Sequence, residues 1–183
     1  MTRIIGGSAG GRRLSVPPGR EIRPTAGRAR EAMFGTLSDL TDLAAARFLD
    51  LYAGSGAVGL EALSRGAIAL VLVEADPVAA QVITDNIAAV GLPGARLVRR
   101  RVEQFLHGPP ESFEVVFADP PYGRPDEELL GCVTAVAQGW AGPGAVLVVE
   151  RPTRGEHWTW PTGIEAIKAK RYGEATLWYG RRS

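Results

Sequence analysis

Short continuous runs of apolar residues alternate along the chain with longer stretches in which apolar residues recur every three or four positions. Short runs of this kind are typical of buried strands, and the longer periodic stretches are typical of helices that pack on a sheet. The pattern predicts strands at Arg47–Leu51, 68–73, 95–99, Phe113–Ala118 and 145–150, with helices at 57–65, Pro77–Val90, Val102–Leu106 and 126–138 between them. This alternation predicts a parallel sheet covered by helices on both faces.

Two further segments change the predicted architecture at the end of the chain. Residues 164–170 and 175–179 have strand character and are joined by a turn at Tyr172 and Gly173, which predicts an antiparallel hairpin. The expected fold is therefore an α/β, Rossmann-like, doubly wound and mostly parallel seven-stranded sheet. It ends in the antiparallel hairpin and begins with a small extension made of a β-hairpin and a helix.

Residues 1–24 are turn-rich and contain only two short apolar pieces, at Ile4–Ile5 and 14–16. They predict a small β-hairpin, and a helix is expected to begin at Thr25, a residue type that caps helix N-termini. We therefore divide the chain into a basic extension, residues 1–24, and a main domain, residues 25–183.

The charge of the chain is concentrated at its start. Residues 1–30 carry seven arginines and one glutamate, a net charge of +6, whereas the whole chain has a net charge of +1. Such a cluster is expected where a polyanion such as RNA binds, although a solvated arginine-rich face would have the same composition. The candidate RNA-binding residues are Arg3, Arg12, Arg13, Arg23, Arg28 and Arg30.

Composition limits the remaining possibilities. The chain has 183 residues, of which 45% are apolar and 22% charged, as expected for one globular domain. No apolar run reaches the length of a membrane span and no signal peptide is apparent, so we expect a cytoplasmic protein. The single cysteine, Cys132, lies in a helical apolar pattern and is expected in the core. Because the chain has only this cysteine and two histidines as soft metal ligands, we expect no metal site.

A glycine-rich turn follows the first strand of the alternation. Gly54, Gly56 and Gly59 have the Gly-x-Gly-x-x-Gly spacing, in which the first permits a tight turn, the second lets a ligand approach the backbone, and the third lets helix and strand pack closely. Taken alone, this spacing is also compatible with a tight strand-to-helix turn that binds no ligand. Glu74 follows the next strand, 20 positions after Gly54, where an acid can hold ribose hydroxyls. The sequence therefore predicts a nucleoside-binding crevice.

The tetrapeptide Asp119-Pro120-Pro121-Tyr122 directly follows the fourth predicted strand. It should therefore lie at the same edge of the sheet as the glycine turn and Glu74, where open α/β sheets bind ligands. Two prolines remove two N–H donors and leave carbonyl acceptors beside a carboxylate and an aromatic ring. Such a site suits a planar group that carries an amino group.

These motifs carry a family resemblance over nearly the whole chain. The tetrapeptide, with Asp50-Leu51-Tyr52-Ala53-Gly54-Ser55-Gly56, resembles S-adenosylmethionine-dependent N-methyltransferases of exocyclic amines. More narrowly, the chain resembles the RsmD-type bacterial methyltransferases that form N2-methylguanine in 16S ribosomal RNA. That resemblance rests on segments 3–7, 11–17, 23–34, 59–67 and 171–173.

The resemblance implies roles for particular residues. Asp119 and the Pro120 carbonyl would accept the hydrogens of the amine, and Tyr122, fixed by the rigid turn at Pro121, would stack on the base. S-adenosylmethionine, which leaves as S-adenosylhomocysteine, would be bound by Asp50, Tyr52, Gly54, Ser55, Gly56, Glu74, Ala75, Arg101 and Val102. Arg101 stands where many relatives have Asp or Asn, which affects the expected adenine contact. The implied substrate is 16S RNA in the assembled or partly assembled 30S subunit, bound by a monomer without a metal.

Other functions remain open at this stage. The same fold could methylate adenine N6 or a protein glutamine amide, although amide-directed relatives commonly have Asn at the position of Asp119. A nicotinamide-dependent oxidoreductase would also explain the glycine turn and Glu74, but not the tetrapeptide at 119–122. A non-catalytic RNA-binding assembly factor is the remaining alternative.

Overall fold

The computed structural model describes residues 1–20 and 26–183. In this part of the chain the strands are β1 (Thr2–Arg3), β2 (Arg13–Leu14), β3 (Arg47–Leu51), β4 (Ala69–Val73), β5 (Ala95–Val98), β6 (Phe113–Ala118), β7 (Ala141–Pro152), β8 (Ile164–Tyr172) and β9 (Ala175–Arg182). The helices are α1 (Ala26–Leu40), α2 (Ala57–Ser64), α3 (Pro77–Val90), α4 (Val102–Leu106) and α5 (Asp126–Ala135). Within these two described ranges, no helix is long and apolar enough to cross a membrane.

Seven strands form one sheet in the order β5-β4-β3-β6-β7-β9-β8. The strands from β5 to β7 are parallel, β9 runs antiparallel to β7, and β8 runs antiparallel to β9. A separate antiparallel pair joins β1 to β2. The predicted fold class, with its final hairpin and its small N-terminal hairpin, is confirmed.

Some element boundaries differ from those predicted. Strand β7 extends from residue 141 to 152 because β9 pairs with it from Val146 to Pro152 and prolongs its ladder beyond the apolar run. Helix α5 ends at Ala135, and a π-helical turn then buries Trp140 against Phe105. The helix N-cap predicted at Thr25 falls outside the described residues.

The two faces of the sheet carry separate apolar clusters. One cluster joins the sheet to α1, α2 and α3 and includes Phe34, Phe48 and Phe117. The other joins it to α4 and α5 and includes Cys132, which is buried in the core as predicted. Both faces are thus covered by helices, as a parallel sheet requires.

The first 14 residues pack into the first of these clusters. Ile4, Ala9 and Leu14 are fully buried in it, and polar contacts fix their position. Gly7, with φ +77°, runs against the end of α2, where an added Cβ would lie 1.9 Å from the Ser64 carbonyl oxygen. Only a glycine permits this close approach.

The buried carboxylate of Glu61 on α2 connects the extension to two helices. It accepts hydrogen bonds from the backbone N–H of Ile5 at 2.8 Å and of Gly6 at 2.9 Å. Arg65 pairs with the same carboxylate at 2.9 Å, and Arg30 of α1 lies 3.4 Å from it. One side chain therefore joins the N-terminal segment, α1 and α2.

Substituting Glu61 with alanine should destabilise the fold strongly. The change leaves two guanidinium groups and two partly buried N–H groups without their acceptor. Breaking such a buried pair costs about 3 kcal/mol or more. For a chain of this length we expect a fall of roughly 6–12 °C in thermal unfolding temperature. Glu31→Ala, at an exposed position on α1, is the control and should shift it by no more than about 2 °C. Equal shifts in the two variants would contradict the role given to Glu61.

Candidate active site

The site lies where the order of strands reverses between β3 and β6. From β3 the chain crosses through α2 to β4 on one side, and from β6 it crosses through α5 to β7 on the other. Such a switch point leaves a crevice at the carboxyl ends of the strands. Acidic side chains stand at the ends of four adjacent strands here: Asp50 in β3, Glu74 after β4, Asp119 after β6 and Glu150 in β7.

The glycine-rich turn has the tight conformation that the sequence predicted. Gly54 has φ +62° and its N–H donates to Glu74 Oε1 at 2.8 Å. Gly59 lets α2 approach the sheet, because an added Cβ would lie 2.6 Å from Leu70 Cδ1. Tyr52 adopts φ +60°, a conformation that is rare for a non-glycine residue and that often marks functional sites.

The interpretation of Gly56 needs correction. The sequence suggested that this glycine makes room for a ligand, but an added Cβ would point at the core side chains of Leu72 and Ile83, 3.1 Å and 3.5 Å away. Its N–H donates to the Ala53 carbonyl within the turn. Gly56 is therefore required for its φ of +80° and for internal packing.

Asp50 is a carboxylate in an unfavourable environment. It is fully buried, which raises the pKa of its carboxyl group well above the ordinary value. The Gly59 N–H donates to Asp50 Oδ2 at 2.9 Å and opposes this rise, while the negative charges of Asp119 and Glu74 add to it. A cationic group bound nearby would relieve the repulsion among these three acids.

Two cavities meet at this edge of the sheet. A cavity of about 340 Å³, which we call the outer cavity, is lined by Arg20, Tyr52, Glu74, Asp119, Pro120, Pro121 and Tyr122. A second one of about 240 Å³, the inner cavity, lies between the sheet and the N-terminal segment with α1, and its lining includes Asp50, Phe117, Glu150 and Leu177. Tyr52, Asp119 and Arg20 line both cavities. The two spaces could therefore hold two reactants on either side of Asp119.

The segment that follows β6 is held in place by charged contacts. The Pro121 carbonyl accepts the Arg124 N–H at 2.9 Å, which closes the turn. The Arg124 guanidinium pairs with Glu103 of α4 and lies 5.3 Å from the centre of the Tyr52 ring. Arg151 donates to the Arg124 carbonyl at 2.9 Å. Pro120 is buried and Tyr122 is 44% exposed, so the segment presents its aromatic ring to solvent at the cavity mouth.

The acidic lining fits the cofactor that the resemblance implied. S-adenosylmethionine carries positive charge on its sulfonium and its α-ammonium group, and its ribose hydroxyls are donors. Asp50, Glu74 and Asp119 supply acceptors and negative charge for all of these. Glu74 already accepts from Gly54 and Asp76 and is thereby held in a fixed orientation.

Not all predicted cofactor residues line these cavities. Tyr52, Gly54 and Ser55 line the inner cavity with Asp50, and Glu74 lines the outer one. Gly56, Ala75, Arg101 and Val102 line neither. Val102 is buried, while Arg101 is 65% exposed and lies 3.7 Å from Glu103.

The predicted RNA-binding arginines separate into three groups. Arg3, Arg13 and Arg28 are exposed, and Arg12 is exposed but donates to the Val90 carbonyl. Arg23 lies outside the described residues. Arg30 is wrongly assigned to an RNA-binding surface: it is buried, donates to the Arg3 carbonyl at 2.5 Å and lies beside Glu61. Burial lowers its pKa, and Glu61 opposes that change.

Sequence reasoning missed two residues of the site. Arg20 lines both cavities and lies 3.1 Å from where a Cβ on Gly54 would be. Arg20 lies in an irregular segment, and no pattern in the sequence of that segment indicated that its side chain lines a cavity. Glu150 could have been found, because it stands near the carboxyl end of β7 as Asp119 does after β6.

Comparisons with known proteins agree with this geometry. Residues 2–181 match the family model described as Conserved hypothetical protein 95. The chain is 39% identical over 149 residues to the ribosomal RNA small subunit methyltransferase D of Escherichia coli K12, a match that covers 81% of this chain and 73% of that protein.

Two solved structures are similar over almost their whole length. The putative methyltransferase yhhF from Escherichia coli superposes with a TM-score of 0.85 and 34% identity, over 99% of this chain and 97% of that one. A hypothetical protein from Thermus thermophilus superposes with a TM-score of 0.81 and 38% identity, over 98% of each chain. The chain therefore belongs to the family of the ribosomal RNA small subunit methyltransferases D, described by the model Conserved hypothetical protein 95.

Proposed function

We propose that this protein transfers a methyl group from S-adenosylmethionine to the exocyclic N2 of a guanine in the 16S RNA of the small ribosomal subunit. The observation that carries the proposal is the position of Asp119 in the wall shared by the two cavities, with Pro120 and Tyr122 beside it. Membership of the methyltransferase D family supports methylation of small-subunit RNA as the activity. Adenine N6 would require a different base edge beside Asp119.

The chain contributes acceptors and positioning to the reaction. S-adenosylmethionine supplies an electrophilic methyl group on its sulfonium and becomes S-adenosylhomocysteine. Asp119 and the Pro120 carbonyl accept the two amine hydrogens, which turns the nitrogen lone pair towards the methyl carbon. As the new C–N bond forms and the C–S bond breaks, one amine proton leaves to Asp119 or to water. Tyr122 stacks on the base, and positioning of this kind supplies up to roughly 7–11 kcal/mol of a barrier.

In this proposal the residues that would hold the cofactor line both cavities: Glu74 in the outer one, Asp50, Gly54 and Ser55 in the inner one, and Tyr52 in both. Glu74 accepts hydrogen bonds from the ribose hydroxyls, and Asp50 lies near the ammonium group, with Tyr52, Gly54 and Ser55 around the methionine part. Ala75, next to Glu74, would flank the adenine, whereas Val102 is buried and would contact it only beyond the two cavities. Arg101 cannot accept from the adenine amine, because a guanidinium has only donors.

The RNA lies on the extension, residues 1–24, and on the first turn of α1, which belongs to the methyltransferase domain, residues 25–183. Exposed Arg3, Arg13 and Arg28 contact phosphates, which fix register without reading sequence. The target base must leave its stack to reach Asp119. The protein acts as a monomer on the assembled or partly assembled subunit, whose shape supplies the selectivity that a chain of this size lacks.

Replacing Asp119 with alanine should abolish most of the activity without loss of folding. The aromatic amine loses the acceptor that orients it, so we expect methyl transfer to small subunits to fall roughly 10²- to 10⁴-fold. Labelled methyl transfer followed by nucleoside analysis measures the effect, and thermal stabilisation by S-adenosylhomocysteine confirms that the variant binds the product. Asp39→Ala, at an exposed position on α1, is the control. Near-normal transfer by the folded Asp119 variant contradicts the proposal.

Asp50→Asn should stabilise the fold and weaken cofactor binding. Because the pKa of Asp50 is raised in the native state, that state binds the Asp50 proton more tightly than the unfolded state does. The carboxyl group therefore costs no stability at pH values below its pKa in the unfolded state. It destabilises the fold as pH rises through its pKa in the folded state. The amide avoids this cost, and at neutral pH we expect a gain of about 1 kcal/mol, or roughly 2–4 °C.

The two effects are measured separately. Thermal unfolding is followed between about pH 5 and pH 8, and the gain over wild type should grow with pH. Affinity for S-adenosylhomocysteine, measured by calorimetry, should fall at least about tenfold because the charge-assisted hydrogen bond to the ammonium group is removed. A variant with unchanged stability and affinity would contradict both roles of Asp50.

Removing Arg13 and Arg28 together should reduce the salt dependence of RNA binding. For each phosphate that an arginine no longer neutralises, the slope of log affinity against log salt falls by roughly 0.7 to 0.9. Fluorescence anisotropy with 16S RNA fragments measures the slope for the double alanine variant. Arg96→Ala removes an exposed charge from strand β5, away from the extension, and should leave the slope unchanged. If both variants give the same slope, Arg13 of the extension and Arg28 of α1 do not contact RNA.

A further inference from the structure

Glu150 stands beside Asp119 in the wall of the inner cavity. In the parallel register of β6 and β7, Ala118 pairs with Val149, so the next residues, Asp119 and Glu150, follow on adjacent strands about 4.8 Å apart. Residues two apart on a strand share a face, which places both acids on the face of Phe117 and Val148. Both acids line the inner cavity.

The inner cavity combines these two acids with an apolar wall. Phe117, Ala175 and Leu177 line it from β6 and β9. Leu177 pairs directly with Glu150 across the ladder between β7 and β9. An apolar wall of this kind suits the face of a base, while the two acids beside it suit an edge that presents hydrogen-bond donors. Asp50 lines the same cavity. It pairs with Phe117 across the ladder between β3 and β6, and its Oδ2 accepts the Gly59 N–H.

Guanine presents two adjacent donors on the edge that carries its amino group, N1–H and the 2-amino group. Adenine presents a lone pair at N1 next to its 6-amino group, and 2-aminopurine likewise has no hydrogen on N1. Two neighbouring carboxylates, which are acceptors only when ionised, match the edge of guanine and oppose the lone pair of the other two bases.

We propose that Glu150 accepts the N1–H of the target guanine while Asp119 accepts from the 2-amino group, which makes Glu150 the residue that selects guanine. The inference rests on the proposed function. A carboxylate that faces the N1 lone pair of a wrong base gains no hydrogen bond and is left desolvated. A site built around a substrate N–H discriminates strongly against analogues that lack it.

The test compares two bases at the methylated nucleotide. Small subunits are reconstituted from ligated 16S RNA that carries either guanosine or 2-aminopurine there, and kcat/KM for methyl transfer is measured with labelled S-adenosylmethionine. The wild type should prefer guanine by at least about 100-fold. Glu150→Gln can donate its amide N–H to N1 of 2-aminopurine, so it should lose rate on guanine and reduce the preference at least about tenfold. Glu165→Gln, at an exposed position on β8, should keep the wild-type preference.

The outcomes separate this inference from the proposed function. If the wild type places no methyl group on guanine N2, the proposed function fails, and with it the inference. If the wild type methylates guanine but Glu150→Gln keeps the full preference, Glu150 does not read N1 and only the inference is overturned. If Glu150→Gln does not fold, Glu150→Asp provides a second test. Its side chain is shorter, so its carboxylate lies further from N1, and the rate on guanine should fall at least about tenfold. An unchanged rate overturns the inference.

Discussion

The buried carboxylate of Glu61 determines where the N-terminal segment and α1 lie on the sheet. A charge removed from water is tolerated only when hydrogen bonds and opposite charges surround it, and Glu61 has both from Ile5, Gly6, Arg30 and Arg65. Without that arrangement, Thr2, Arg30 and Met33 would not be fixed over the crevice, and the inner cavity would lose the residues that line it on that side. The active site therefore depends on a contact that lies outside it.

The register of the strands determines which side chains meet in the crevice. Parallel pairing brings the carboxyl ends of β4, β3, β6 and β7 to one edge, so four acids from distant parts of the chain face a small volume. The pKa of Asp50 is raised first by its burial and then by the charges of Asp119 and Glu74, so the ionised carboxylate is disfavoured in the folded protein. A site that binds a cation and an amino group gains from the same feature, which is the usual conflict between stability and function.

Local patterns made much of this fold predictable. Helix α3 runs from Pro77 to Val90 as predicted, because Asp76 caps it through the Ala79 N–H and Gly91 ends it with φ +67°. The position of the tetrapeptide at 119–122 followed from the strand before it. Arg30, by contrast, reads like any other arginine of the basic segment, and its burial depends on Glu61, 31 positions away. Gly56 satisfied the motif for a reason that only the packing of Leu72 and Ile83 reveals. What sequence could not supply was the identity of long-range partners.

One such partner links the N-terminal segment to the glycine-rich turn. Buried Asn86 on α3 accepts the Ser15 N–H at 2.8 Å and donates to the Ser15 carbonyl at 2.9 Å, and its amide also donates to the Ser55 carbonyl at 2.8 Å. Ser55 belongs to the glycine turn, and Ser15 directly follows β2. A single side chain therefore fixes the extension and the turn relative to each other. Because both hydrogens and the oxygen of the Asn86 amide are engaged, no other residue type of its size satisfies all three contacts.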